Sequence, residues 1–409
     1  MKKTQRTLST YHILALLVLS HPLYWHSAFS NPHPAHVLTG IDVLEAENFA
    51  RLDGKHVGLI TNRTGANRNG KSTIDLFLAA PNLKVVAFFS PEHGLFSDVE
   101  HKVASFVDSR SGLPIFSLYG ETQRPTPEML QGIDTLIFDI QDVGVRFYTY
   151  ITTMAYAMEQ AAKANIEFMV LDRPNPINGV DVEGPILDSN RLSFTGYFPL
   201  PVRHGMTVGE LARLFNEENR LGVKLGVVRM EGWKREYWFD NTGLPWINPS
   251  PNIRNLDEAT LYPAVGLLES TNLSVGRGTQ TPFEVFGAPW IDASRLVRSL
   301  NKREIPGVKF KPFRFTPEAD RYKGKRCQGA KITVMNRHRF RPVTCGLEIA
   351  RVLCLLYPQR FQSEKLLELV GSDEVVKRIR EGRSLQKILE GYQPQLQTFL
   401  ALRQNYLDY

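Results

Sequence analysis

Apolar positions in this chain follow one rhythm up to about residue 265 and another beyond it. In the first stretch, short apolar runs at 57–61, 83–89, 115–118, 134–139, 167–171 and 225–230 predict six strands. Between them, 72–80 reads as a helix behind a Ser cap, and 149–164, rich in Ala, Met and Gln, as a longer one. Runs that are apolar without alternation are buried on both faces. Strands separated by helices call for right-handed crossovers and a parallel sheet. Residues 40–265 are therefore expected to form a doubly wound, mainly parallel α/β domain. After the turn-rich 246–255 and the small, polar 266–289 the pattern changes. A helix at 293–301, a strand at 330–335 and helices at 347–357 and 364–370 predict a smaller α+β domain over 266–409.

The start of the chain has a different character. Lys2, Lys3 and Arg6 precede an apolar stretch at 13–19, and Ala28 and Ser30 follow in an A-x-A-like arrangement. These are the parts of an export signal, and the apolar stretch is too short for an ordinary transmembrane helix. Residues 1–30 are read as a cleaved signal and 31–39 as a leader without periodicity. The protein is then expected to be secreted across the inner membrane, into the periplasm or beyond, with no membrane insertion after cleavage. Removing three bases and no acid lowers the formal net charge from +7 to +4. With no basic tract of the nucleic-acid type, a nucleic-acid partner is not expected. In an oxidising compartment thiols can pair. Cys354 fits an apolar helical pattern, which leaves Cys327 and Cys345 as a candidate bridge, with free thiols the alternative.

Ligands of an open parallel sheet bind at the carboxyl ends of its strands, so the chemistry is sought there. The strand ends deliver Asn62, then Pro91-Glu92-His93-Gly94, then Tyr119, then Asp139 to Tyr148, then Arg173 and Asn175. No GxGxxG or GxxxxGK[ST] motif follows a strand, and there is no GxSxG or HExxH. Neither a cofactor nor a metal is expected. Carboxylate, imidazole, tyrosine and arginine chemistry is left. Glu92, set by Pro91 directly after a buried strand, is placed to donate a proton, or else to cap a helix or pair with an Arg. Asp139 and Asp142 can supply a partner carboxylate or hold Arg146. Tyr148 and Tyr150 can stack on sugar or simply pack. His93, Arg173 and Asn175 are candidates for substrate binding. Glu269, Asn272, Arg277 and Gln280 look like a polar rim from the inter-domain segment.

Long motifs carry a resemblance. FFSPEHGLFS, DTLIFDIQDVGVRFYTYI, LDRPNPI, FPLPVRHGMTVGEL, NPSPNI and LLESTNLSVGRGTQTPFEVFGAPW resemble the family once known as domain of unknown function 1343. It includes the exo-β-N-acetylmuramidases of the NamZ type, glycoside hydrolase family 171. The resemblance spans about residues 40–409. It implies a Rossmann-like domain plus a smaller C-terminal domain, with the site in the cleft between them. It also implies release of N-acetylmuramic acid (MurNAc) from non-reducing ends of peptidoglycan fragments. The family's SPEHG glutamate falls on Glu92, and its tyrosine-bearing motif on Tyr148 and Tyr150. The lactyl carboxylate of MurNAc suits an arginine fork, and Arg146, Arg173 and Arg277 are the candidates. Beside Glu92 as general acid, the second role stays open among a paired carboxylate, a tyrosine and the substrate's own acetamido group. A wall-peptide amidase or esterase would need a nucleophile–base pair, and none is convincing. A non-catalytic wall-sugar-binding module would not need the acid.

Overall fold

The computed structural model describes residues 36–97, 102 and 104–409. The expected export signal and most of the leader lie outside the described residues. The end of the leader is not the loose lead-in its composition suggests. Val37 is fully buried in a small cluster with Met230 and Trp233, and Leu38 bridges to Glu231.

The strands are β1 His56–Thr61, β2 Lys84–Ser90, β3 Phe106–Val107, β4 Pro114–Ser117, β5 Thr135–Asp139, β6 Glu167–Leu171, β7 Glu183–Ile186, β8 Pro201–Arg203, β9 Leu225–Val228, β10 Val285–Ala288, β11 Val308–Phe315 and β12 Cys327–Val334. The helices that matter here are α1 Gly40–Ala46, α2 Thr73–Ala79, α3 Tyr150–Ala164, α4 Val208–Glu218, α5 Leu256–Val265, α6 Ala293–Asn301, α7 Pro342–Leu356 and α8 Leu367–Val370. Seven strands form the central sheet in the order β3-β4-β2-β1-β5-β6-β9. All its pairings are parallel except that of the short edge strand β3 with β4.

Period-two alternation explains the layers. Leu59, Phe88, Ile137 and Met169 point to one face, where they meet Ile41 and Leu44 of α1 and Leu76 and Phe77 of α2. Ile60, Phe89, Phe138 and Val170 point to the other, where they meet Met154 of α3 and Leu211 of α4. Both faces are covered, as the unbroken apolar runs require. The larger of these two cores runs on into the C-terminal part, taking in Leu296 of α6, Ile349 of α7 and Phe310 of β11. There β10, β12 and β11 make an antiparallel three-stranded sheet. The chain lays β1, β2 and β4 to one side, then returns past β1 to lay β5, β6 and β9 on the other. The reversal between β1 and β5 is the topological switch point, where such sheets open a crevice.

The two cysteines proposed as a bridge are free thiols. Cys345 is buried inside α7, and the Cys327 thiol, in β12, faces the Lys325 carbonyl oxygen at 3.6 Å. Burial pushes both thiols up, Cys327 to about 11. They pack as small apolar groups.

Candidate active site

The turn after β2 sets the central carboxylate. His93 (φ 70°) and Gly94 (φ 72°) are successive left-handed residues, and the Gly94 amide donates to the Pro91 carbonyl at 3.0 Å. A non-glycine residue there costs on the order of 1 kcal/mol, so the local turn is held by its surroundings. It delivers Glu92, half-buried, to the start of α3. Thr149 is the N-cap of α3 but makes no cap bond to the helix. Its hydroxyl instead donates to Glu92 Oε2 at 2.5 Å. The Glu92 carboxyl group thus lies at the N-terminus of α3.

Glu92 opens onto a cavity of about 320 Å³. One wall comes from the sheet edge: His93, Phe147, Tyr148 and Thr149. The other comes from later segments: Ser250, Tyr262, Glu269, Arg277, Phe283, and Leu369 of α8. Aromatic rings lock together behind it. Tyr148 packs edge-on against Tyr150 at 4.7 Å and Tyr262 at 5.9 Å, and Tyr262 against Phe283 at 4.7 Å. Burial holds the Tyr148, Tyr150 and Tyr262 phenols above their ordinary range. Tyr119, just past β4, lies beside Glu92. Burial, and then the Glu92 carboxylate, push it up to about 12. These phenols stay protonated near neutrality. The Tyr150 hydroxyl donates to the Pro249 carbonyl at 2.5 Å. The Tyr148 hydroxyl, buried beside Tyr150 and Ser250, lacks a well-formed hydrogen bond. Across the cavity Arg277 Nε donates to Glu269, and its guanidinium lies 5.4 Å from the Phe283 ring.

Of the residues singled out from the sequence, Glu92, His93, Tyr148, Glu269 and Arg277 meet in this cavity, and Tyr150 stands behind Tyr148. The others do not line it. Asp139 is fully buried and receives Arg173 through Nε (2.6 Å) and Nη2 (2.9 Å), while Thr73 donates its hydroxyl to the same carboxylate. That pair is an internal strut, so neither is placed for catalysis or for a lactyl group. Arg146 is 1 % exposed, and its guanidinium donates to the carbonyls of Pro185, Leu200, Leu369 and Val370. It ties the segments around β7, β8 and α8 to the loop after β5 and does not line the cavity. Asp142 accepts the Gly144 amide and lies 3.5 Å from the buried His204 ring. Asn175 bonds the Met206 carbonyl and the Ile177 amide. Asn62 accepts from Thr64, its amide nitrogen buried near Tyr150. Asn272 bonds the backbone of Arg360 and Gln362. Gln280 is exposed, its carbonyl taking Arg254.

Residues 57–257 match the family model for exo-beta-N-acetylmuramidase NamZ, N-terminal, and residues 260–409 the model for its C-terminal part. The chain belongs to the NamZ exo-β-N-acetylmuramidase family. It is 46% identical, over 378 residues and 91% of each chain, to the peptidoglycan beta-N-acetylmuramidase NamZ of Bacillus subtilis (strain 168). Two crystal structures of DUF1343 family proteins from Bacteroides fragilis NCTC 9343 share the architecture. They superpose with TM-scores of 0.85 and 0.72 at 39% and 32% identity, each over 91% of this chain and 99% of theirs. Within this NamZ-family chain, sequence reasoning placed Tyr119 at a strand end without giving it a role, and passed over Thr149, Tyr262 and Phe283. Tyr119 follows β4 by two residues, as Glu92 follows β2. Tyr262 is an apolar-face residue of α5 with no local mark of a site.

Proposed function

We propose that this protein hydrolyses the glycosidic bond of MurNAc at the non-reducing end of peptidoglycan fragments, with Glu92 as general acid. The observation that carries this reading is the half-buried Glu92 at the edge of a cavity near the small end of ligand-site volumes, roughly 300–1,000 Å³. Such a volume suits one sugar ring. Glu92 protonates the departing sugar oxygen, and the hydroxyls of Thr149 and Tyr119 beside it hold the carboxyl group in place. Phe147, Tyr148 and Tyr262 offer ring faces to the sugar. Arg277 is the one of the three candidate arginines that lines the cavity, and its fork takes the lactyl carboxylate. Glu269, bonded to Arg277, aims that fork. The Bacillus relative, a peptidoglycan beta-N-acetylmuramidase by name, supports the substrate class. The export signal read in residues 1–30 supports action outside the inner membrane, where such fragments are found.

The test is incubation of the purified protein with MurNAc-GlcNAc and with GlcNAc-MurNAc. The first is cut and releases free MurNAc; the second is not. Cleavage of both, or internal fragments from long polymers, overturns the exo assignment.

A further inference from the structure

The charge of this chain is not spread evenly. Residues 302–341 hold thirteen Lys and Arg against three acids, a net +10, so the rest of the chain is net −3. Seven of the thirteen bases fall on β11 and on the loop that joins it to β12. Lys309, Lys311 and Arg314 are exposed on β11, and Arg321, Lys323, Lys325 and Arg326 on the loop. Lys331, Arg337 and Arg341 have acidic partners in Glu284, Asp240 and Asp181. Arg303 pairs with Glu348, whereas none of the seven bases on β11 and its loop has an acidic partner among the described residues. Lys311 even lies opposite Lys331 in the β11–β12 register, an arrangement that costs stability.

Edge protection explains part of this. β11 is an edge strand, and Lys and Pro312 on such a strand discourage pairing with another sheet. It does not explain the four loop bases. Nor does it explain the groove beside them, about 790 Å³, lined by Trp290, Asp292, Ser294, Phe313, Arg314 and Gln328. Half-buried aromatic rings with amide, hydroxyl and guanidinium groups form a sugar-and-carboxylate surface.

The groove is strapped to the catalytic cleft. Trp290 Nε1 donates to the Tyr322 hydroxyl at 3.3 Å, which donates to the Asn272 carbonyl at 3.0 Å. The Glu318 amide donates to the Gly278 carbonyl at 2.8 Å. Gly278 turns at φ 71° directly against Ala319, where a Cβ would come within 2.4 Å of backbone. The turn that carries Arg277 into the cleft therefore leans on the segment that carries the basic loop.

We infer that the groove and basic face of the three-stranded sheet form a second binding surface, which holds a peptide-bearing glycan strand of peptidoglycan through the carboxylates of its stem peptides. This rests on the proposed function for its substrate class. The cavity takes the terminal ring, and this surface takes a more distant part of the polymer. Such a two-point grip raises the local concentration of chain ends without adding contacts at the scissile bond.

The experiment compares the full chain with a charge-reversed variant, Lys311→Glu/Arg314→Glu/Lys323→Glu/Arg326→Glu. Co-sedimentation with insoluble peptidoglycan is measured at low and high salt, alongside turnover of the disaccharide MurNAc-GlcNAc. Wild type pellets at low salt and is released by added salt. The variant binds about tenfold more weakly, because several screened contacts are lost together. It keeps disaccharide turnover within about twofold, which also shows that it folds. Unchanged pelleting of the variant overturns the inference. So does equal wild-type binding to glycan stripped of its stem peptides. Charge-dependent binding to anionic phospholipid vesicles but not to peptidoglycan assigns the surface to a membrane instead, and overturns it too. Failure of the proposed function reads out separately, as absence of wild-type turnover on the disaccharide.

Discussion

The two halves of the central sheet end in equally polar loops, yet their polar groups behave differently. On the β5–β6 side, Asp139 is filled by Arg173 and Thr73. Next to it, Asp172 accepts from the Arg173 and Gly209 amides and from the hydroxyls of Thr207 and Tyr409. On the β2–β4 side, Glu92 has Thr149 and Tyr119 beside it and an open cavity in front. Carboxylates whose acceptor sites are all filled from within the fold make a frame. A carboxylate with one face left to solvent space can meet a substrate. The same sequence pattern, a polar cluster after an apolar strand, produces both, and what covers the strand end decides which.

The sharpest way to break this contrast is Glu92→Gln. Turnover of MurNAc-GlcNAc should fall by about 10²–10⁴-fold, the usual worth of a positioned acid, with thermal stability unchanged. A nitrophenyl MurNAc glycoside, whose leaving group needs little protonation, should lose far less. Equal losses on both substrates would make Glu92 a binding residue. The mirror experiment is Asp139→Asn, which leaves Arg173 charged and buried. Urea unfolding should show a loss of about 3–5 kcal/mol, typical of breaking a buried pair. A stable Asp139→Asn protein with lost turnover would move Asp139 from frame to site.

Arg277→Lys tests the cavity's other wall. The charge remains but the planar fork is lost, so kcat/KM on MurNAc-ended substrate should drop about tenfold. A MurNAc-ended substrate whose lactyl carboxylate is masked as its methyl ester should be much less affected, and equal effects on both would disconnect Arg277 from that group.

A smaller effect concerns Asp172. Burial is the largest influence on it and raises its pKa from 3.8 to about 7, against the hydrogen bonds it accepts. A folded-state pKa above the unfolded one means that the folded protein binds the extra proton. This contribution to stability is full below about pH 4 and is lost as pH rises through about 7. Chemical denaturation from pH 4 to 8 should show that decline, and Asp172→Asn should flatten it. Tyr409→Phe, which removes one donor to Asp172 and the acceptor of the Met230 amide, should cost about 1–2 kcal/mol.

The strands of the central sheet were legible because burial on both faces writes an unbroken apolar run into the sequence. The strands at 57–61, 134–139 and 167–171 fall within a residue of β1, β5 and β6. α4 was missed, although Thr207 caps it and Glu210 completes a capping box, because its sequence opens on Val-Gly and reads as a loop. β11 was missed because an edge strand studded with Lys, Pro and Arg lacks the apolar run. In the site, Glu92 was legible from its place after a strand. Arg146 and Arg173, at strand ends like Glu92, proved to be interior, while Arg277, from the segment after α5, lines the cavity.

What the sequence determined by itself is what depends on neighbours along the chain: the periodicity of the strands, the caps, the turn after β2, and the long motifs that mark the NamZ family. What the tertiary structure decided is which polar groups were left with capacity for a ligand. Hydrogen-bond satisfaction and burial are set by contacts across long stretches of chain. Arg146 is filled by carbonyls more than 220 residues away in α8, and Glu92 by a hydroxyl 57 residues on. No local pattern encodes those distances, so the candidate list could be read from the chain, but the choice among its members came only with the fold.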